Sequence, residues 1–218
     1  DQMSAVFGNN DNNLIINTPE GAFNSGFNSS WSASGINPSF LGFFPDMADD
    51  TYATIGLEGP ASSSGIDGAA DPSIVEDGTQ PITPYFINDG STSLASTSLT
   101  GSSWYVLNTA GNGLSNDDMR VLVLQVTTTG SISGTINYQV FPLGVGANQV
   151  RISMDFDGEG FYVAVAGCMD DAACNYEPTA NYDFNNDDDD VDDSCTYIDA
   201  SECDCDGNVL DECGVCGG

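Results

Sequence analysis

Apolar and polar residues alternate along two stretches in the second half of the chain. Ile132, Gly134, Ile136, Tyr138 and Val140 interleave with Ser133, Thr135, Asn137 and Gln139. Val150, Ile152, Met154 and Phe156 interleave with Arg151, Ser153 and Asp155. A period of two puts each set on one face of an extended chain, so each stretch predicts an antiparallel strand with one wet face. Val121 to Leu124 is apolar at every position and predicts a central strand. A further strand is expected over 161–166, after the turn Asp157-Gly158-Glu159-Gly160. Shorter strands are expected at Leu14–Asn17, Tyr52–Leu57, Tyr85–Ile87 and Trp104–Leu107. If Ser4–Phe7 is also a strand, the chain starts almost inside the sheet. An edge lacking its neighbour there would be open to completion by another chain.

About eight short strands separated by Gly, Asn and Ser turns predict an all-β fold over residues 1–166, an antiparallel β-sandwich or jelly roll. Ile36 to Phe44 reads as a loop or short helix whose aromatics plug one end of the sandwich. Residues 59–82 read as a long polar loop, either functional or a plain surface insertion. The pattern then breaks. Residues 167–218 hold all seven cysteines and 16 of the 33 acidic residues, and neither of the two bases, Arg120 and Arg151. Such a segment cannot build a hydrophobic core. A small irregular module held by disulfides, by a metal ion or by both is expected.

Charge narrows the partners. The 218-residue chain has a formal net charge of −31 and no His. Nucleic acid and anionic membrane surfaces both require clustered Lys and Arg, so neither is expected. Cations are the natural partner, since bound Ca²⁺ relieves the repulsion between carboxylates. No stretch is long and apolar enough to span a bilayer. Asp1-Gln2-Met3 has no basic leader region, so either a leader has been removed or the chain is a segment of something longer. Without His, Ser-His-Asp and Cys-His catalysis are impossible, and no pair of acids stands out from the acidic background, so no enzyme is expected.

Asp204-Cys205-Asp206-Gly207-Asn208 followed by Asp211 sets oxygen side chains at positions 1, 3, 5 and 8 of a loop. Alternate residues of a tight loop can converge on one cation, with Gly207 permitting the turn. The loop lacks the Glu at position 12 of an EF-hand, and a plain Asp-rich turn is the alternative. Asp170, Asp183, Asp192 and Asp193 are further candidate ligands, the last three flanking a dense acid run. That run would be closed at low entropic cost if Cys174 and Cys195, which bracket it, were bridged. Cys213-Gly214-Val215-Cys216 is a C-x-x-C, but a zinc site needs a second pair and redox chemistry a βαβ context, so disulfide bonding is preferred. Cys168, Cys174, Cys195, Cys203, Cys205, Cys213 and Cys216 are thus all disulfide candidates. Seven cysteines leave one over, with its partner beyond residue 218 or on a neighbouring chain. Asn28-Ser29-Ser30 is a glycosylation sequon, and the Ser62–Ser64 and Ser91–Ser98 clusters are exposed candidates for O-linked sugars or merely flexible polar loops. Asp155 to Glu159 reads as an ordinary hairpin tip rather than a cation site.

Gly167-Cys168-Met169-Asp170-Asp171-Ala172-Ala173-Cys174-Asn175-Tyr176, closed by Asp192-Asp193-Ser194-Cys195, resembles the G-C-x-D-x-x-A-C-N-Y…D-D-G-S-C repeat of large secreted and surface proteins, especially of marine Bacteroidetes. Asp204 to Gly218 is similar to the C-D-G…D-x-C-G-V-C-G-G repeat of such proteins, and to a phrase in the cysteine-rich region of ADAMTS-type proteases. Asp193 stands where the first repeat has Gly, and the acid run lengthens its loop. Residues 1–166 also look like a β-rich module found beside these repeats. The resemblance implies an extracellular or cell-surface structural or adhesive protein. It would be a subunit of a layer or filament built from copies of itself or neighbouring repeats, with Ca²⁺ and disulfides stiffening the linker. The alternative is a carbohydrate-binding module of a secreted hydrolase, meeting polysaccharide through Trp31, Trp104 and Tyr105.

Overall fold

A computed structural model describes residues 1–160, 162, 163, 165–180 and 195–217. Its strands are β1 (Gln2–Gly8), β2 (Leu14–Ala22), β3 (Tyr52–Ala53) and β4 (Ser73–Val75). After a short helix α1 (Thr83–Ile87) follow β5 (Ser91–Ser96), β6 (Ser102–Tyr105), β7 (Leu124–Gln125), β8 (Ser133–Phe141) and β9 (Val150–Asp157). The fold is all-β and antiparallel, as the alternation predicts. The contacts divide the chain into two compact units, Asp1–Tyr162 and Val163–Gly218.

One seven-stranded antiparallel sheet carries the first unit, with strand order β4-β6-β1-β8-β2-β5 and β9 on the other side of β8. The sheet forks along β8. Its C-terminal half pairs with β1, from Phe7 opposite Asn137 to Gln2 opposite Phe141. Its N-terminal half pairs with β2, Ile15 opposite Thr135 and Asn17 opposite Ser133. Gly134 is needed at this crossing, because a side chain there would run into the backbone of Ile15. The two wings close over one sandwich-like core of Val6 from β1, Leu14 and Ile16 from β2, Leu94 from β5 and Trp104 from β6.

Asn137 sits at the fork and is fully buried. Its Nδ2 donates to the carbonyls of Phe7 at 3.2 Å, Asn12 at 3.0 Å and Asn13 at 3.0 Å. These carbonyls lie where β1 turns away and β2 begins, and that of Asn12 also accepts from the Asn9 N–H at 2.9 Å. A carbonyl shielded from water and without a donor is costly, so the buried amide helps to hold the branch together.

Several local expectations fail for identifiable reasons. Tyr85–Ile87 lies in α1, not in a strand. The Glu76 carboxylate accepts from the backbone N–H of Ile82 and Thr83, both at 2.9 Å, and Pro84 stands in the first turn. Only Leu124 of the 121–124 run is in a strand, paired with Ala53 of β3 in a small second sheet. Of Tyr52–Leu57, only the first two residues are extended, while Thr54 folds back on Leu57 through its hydroxyl. The long polar loop supplies strand β4, and the serine-rich segment Ser91–Ser96 is β5, with Ser96 buried. Ile36 is buried, but Phe40 and Phe43 of the expected plug are exposed, Phe43 at 78%. β1 is no open edge, since β6 and β8 flank it. The strand expected over 161–166 lies partly outside the described residues, and Tyr162, Val163 and Val165 are not in a strand.

Candidate functional site

In the second unit Cys168 is the only buried side chain among the described residues. Covalent bonds take the place of a core. Cys168 pairs with Cys195, Cys174 with Cys205, and Cys203 with Cys216. The sequence separations are 27, 31 and 13. Closing loops of those lengths in the unfolded chain is worth roughly 3–4 kcal/mol each if taken singly. Cys174 and Cys195, which bracket the acid run, are not bridged to each other: each reaches a cysteine outside it. In the C-x-x-C, Cys216 is bridged to Cys203, and Cys213 is an exposed free thiol.

The acidic phrases between the cysteines build turns. The Asp170 carboxylate accepts from the Ala172 N–H at 2.9 Å, and its other oxygen from the Tyr197 hydroxyl at 2.7 Å. Asp199 accepts from the Ser201 N–H at 3.1 Å, and Glu177 from the Thr179 N–H at 3.2 Å. Asp204 Oδ1 accepts from the N–H groups of Asp206 and Asn208, at 3.0 and 3.1 Å. Asp211 Oδ1 accepts from those of Cys213 and Val215, both at 2.8 Å. A side-chain oxygen reaching the N–H two residues on is the Asx-turn, which stands in for backbone pairing where no sheet exists. The module's first phrase is also clasped to the segment after Cys195. The Cys174 N–H donates to the Thr196 carbonyl, and the Thr196 N–H to Asn175 Oδ1, each at 2.7 Å.

These bonds favour the charged form of the acids. Tyr197 holds Asp170 below the ordinary carboxylate range, Thr179 lowers Glu177, Ser201 lowers Asp199 and Asn208 lowers Asp204.

The candidate cation ligands fare unevenly. Asp183, Asp192 and Asp193 lie outside the described residues. Asp204, Asp206, Asn208 and Asp211 share one turn region, but Asp204 and Asp211 already accept two backbone N–H groups each. Among the described residues, the one convergence of three metal-type donors is Cys203, Asp204 and Cys216. Its two sulfurs are joined in a disulfide and offer no thiolate, so the bridged form is not a metal site.

The remaining candidates lie in the first unit. Asn28 is buried, and its Nδ2, the atom a sugar would occupy, donates to Asp50 Oδ2 at 2.5 Å. Asp50 is buried too and also accepts from the Ser25 N–H at 2.6 Å; burial raises its carboxyl above the ordinary value. Nothing in the sequence marks Asp50 out from the other acids. Trp104 is fully buried, its indole N–H donating to the carbonyls of Thr54 and Val123. Trp31 packs against the same core. Trp104 is therefore no sugar platform. Asp155 lies within β9 and accepts from the Thr135 hydroxyl of β8 at 2.6 Å.

In comparisons with protein-family models, with curated proteins and with solved structures, nothing matches this chain.

Proposed function

We propose that the chain is an extracellular structural or adhesive element, in which a β-domain is continued by a disulfide-held connector and assembles with copies of itself or with related repeats. One observation carries the reading. Three interleaved bridges hold a segment whose only buried side chain, among the described residues, is a cysteine. A fold that depends on disulfides to this degree belongs in an oxidising compartment. No helix among the described residues is long and apolar enough to cross a membrane. The acidic surface keeps such a protein soluble and repels nucleic acid and anionic lipid. The burial of Trp104 weighs against the carbohydrate-binding alternative.

Calcium belongs to the same proposal, with Asp204, Asp206, Asn208 and Asp211 as its ligands. Their alternating oxygen side chains are the donor type a hard cation takes, and the Asn208 side chain holds the Asp204 carboxyl below the ordinary range.

The test is made on the producing cells. Protease shaving of intact cells should release the chain, thiol labelling without reductant should find Cys213 as the reactive cysteine of the monomer, and imaging of the surface should show an ordered assembly. A cytosolic chain with all seven thiols free would sink the proposal. For calcium, the ion should raise the melting temperature and slow Asp-N or Glu-C cleavage of the module. If EDTA changes neither, the calcium assignment fails.

A further inference from the structure

The long polar loop over residues 59–82 supplies one wall of a cleft of about 660 Å³. The segment 111–122 supplies another, and the buried Leu57 lines it too. One side chain ties these segments together. Asn112 is buried. Its Nδ2 donates to the carbonyls of Ile55 at 2.6 Å and Ala70 at 3.0 Å, and its Oδ1 accepts from the Ala70 N–H at 2.9 Å. Gly56 has a φ of +66°, and a Cβ there would run into the Asn112 carbonyl oxygen, so only Gly lets the two chains approach this closely. The Gly56 N–H donates to the Leu122 carbonyl at 2.6 Å, and the Gly111 N–H to the Gly68 carbonyl at 3.0 Å. The walls are thus bonded to one another, and the cleft is preformed.

Among the described residues, aliphatic side chains line it at Leu41, Leu57, Leu114 and Leu122, and no aromatic ring does. It also carries two charges, Glu58 and Arg120. Arg120 is one of only two bases in a chain with 33 acids. Yet among the described residues neither its guanidinium nor the Glu58 carboxylate makes an ion pair or a hydrogen bond, with each other or with any other group. Burial, then the charge of Glu58, pushes the Tyr52 phenol up to about 12, so that phenol stays neutral and supplies no counter-charge. The root of Arg120 is nevertheless held. Its N–H donates to Asn116 Oδ1, and its carbonyl accepts from the Asn116 N–H, both at 3.0 Å. Within that turn Met119 sits in the left-handed region at φ 59°, a strained conformation of the kind that clusters at binding sites.

A lone carboxylate would satisfy Arg120 but would have to approach a chain of net charge −31. A lone cation would satisfy Glu58 and leave the guanidinium unused. A sugar ring would find no aromatic face to lie on. We propose that the cleft binds a zwitterion with an apolar side chain, a free amino acid or a short peptide. The carboxylate of the ligand takes the N–H groups of Arg120, its ammonium takes Glu58, and its side chain covers the leucines. Such a ligand brings no net charge into the acidic field, and each of the two protein charges gains the partner that the fold withholds from it.

The cleft lies wholly in the first unit, so its occupancy is independent of the disulfide module and of any assembly. Titration of the full chain with leucine and with leucyl-leucine, at about 0.15 M salt and followed by calorimetry and amide NMR shifts, tests it. Binding should saturate, with shifts confined to the cleft around Gly56, Glu58, Gly111 and Leu122. Preference for leucine marks a free amino acid as the ligand, and preference for the dipeptide marks a peptide. Acetylating the ligand's amine or amidating its carboxylate should each weaken binding by at least about tenfold. Glu58→Gln should remove the penalty for acetylation, and Arg120→Gln the penalty for amidation. Both side chains are exposed, so both variants should melt with the wild type. No saturation by either compound up to about 10 mM, or blocked ligands that bind as well as the zwitterions, would overturn the assignment. So would variants that leave both penalties in place, or tighter binding of a neutral disaccharide such as cellobiose.

Discussion

Replacing Asn137 by Ala should open the fork in the sheet. The side chain is fully buried, and its two N–H groups serve three carbonyls, those of Phe7, Asn12 and Asn13, at 3.0–3.2 Å. Its own Oδ1 has no hydrogen-bond partner, so the residue is held there for its donors. An unsatisfied buried polar group costs about 1–3 kcal/mol. The Asn12 carbonyl keeps the Asn9 N–H and Asn13 is exposed to water, so the loss falls mainly on the Phe7 carbonyl, and the cavity left behind adds to it. A loss of about 1–3 kcal/mol follows, a sizeable part of the stability of an ordinary domain. Asn137→Asp keeps the shape and reverses the effect, setting an acceptor against three carbonyls. It should be worse than Ala at neutral pH and recover as acid protonates it. Urea unfolding followed by Trp104 fluorescence, with the disulfides intact and the exposed Asn10→Ala as control, measures both. If Asn137→Ala lies within about 0.5 kcal/mol of the wild type, the amide does not hold the fork and the reasoning fails.

The buried Asp50 offers a second, opposite-signed test. Asp50→Ala leaves the Ser25 N–H and Asn28 amide without an acceptor and should cost about 2–4 kcal/mol in the same assay. Burial raises the Asp50 carboxyl above its ordinary 3.8, so the proton-linked part of its contribution is fully present below that value and lost as pH rises through the raised one; Asp50→Asn should flatten that part of the pH profile. Asp77 behaves the other way. Bonds from Ser98 and Thr79 lower it to about 2, so the stability it lends its turn is full above 3.8 and lost as pH falls from there to about 2, which hydrogen exchange at Thr79 would register. Cys174→Ser with Cys205→Ser should leave the melting of the first unit unchanged while making the module a substrate for Asp-N or Glu-C. Trypsin cannot report this, because both bases lie before residue 152.

The hairpin β8–β9 is legible in the sequence because one of its faces is wet, and alternation survives only where two environments differ. β5 is not, since Ser-Thr-Ser-Leu-Ala-Ser shows little hydrophobic contrast and becomes a strand by pairing with β2. α1 misleads because Tyr85, Phe86 and Ile87 are good strand formers, while the helix is started by Glu76, a residue outside it. Cysteine number reveals a disulfide framework, but spacing gives no pairing: Cys174 finds Cys205 across 31 positions. The alternate acids of the module are the subtlest case. An oxygen that can reach the N–H two residues on is also placed to share a cation with its neighbour, so the same spacing serves a turn and a ligand loop.

The disulfide pairing also sets how far the module can be stretched. From Cys168 to Cys216 the backbone covers 48 positions, about 160 Å fully extended. The bridges shorten that path twice over. One covalent route runs through Cys195 to Cys203 and then across to Cys216. The other runs from Cys168 to Cys174, crosses to Cys205 and returns to the same last bridge. Each uses about eight backbone positions and reaches only about 40 Å. A pull along the chain is therefore shared by two short parallel strands of covalent bonds. A break in the backbone anywhere between residues 175 and 194 would leave both strands whole, and the load would never reach the acid run at all.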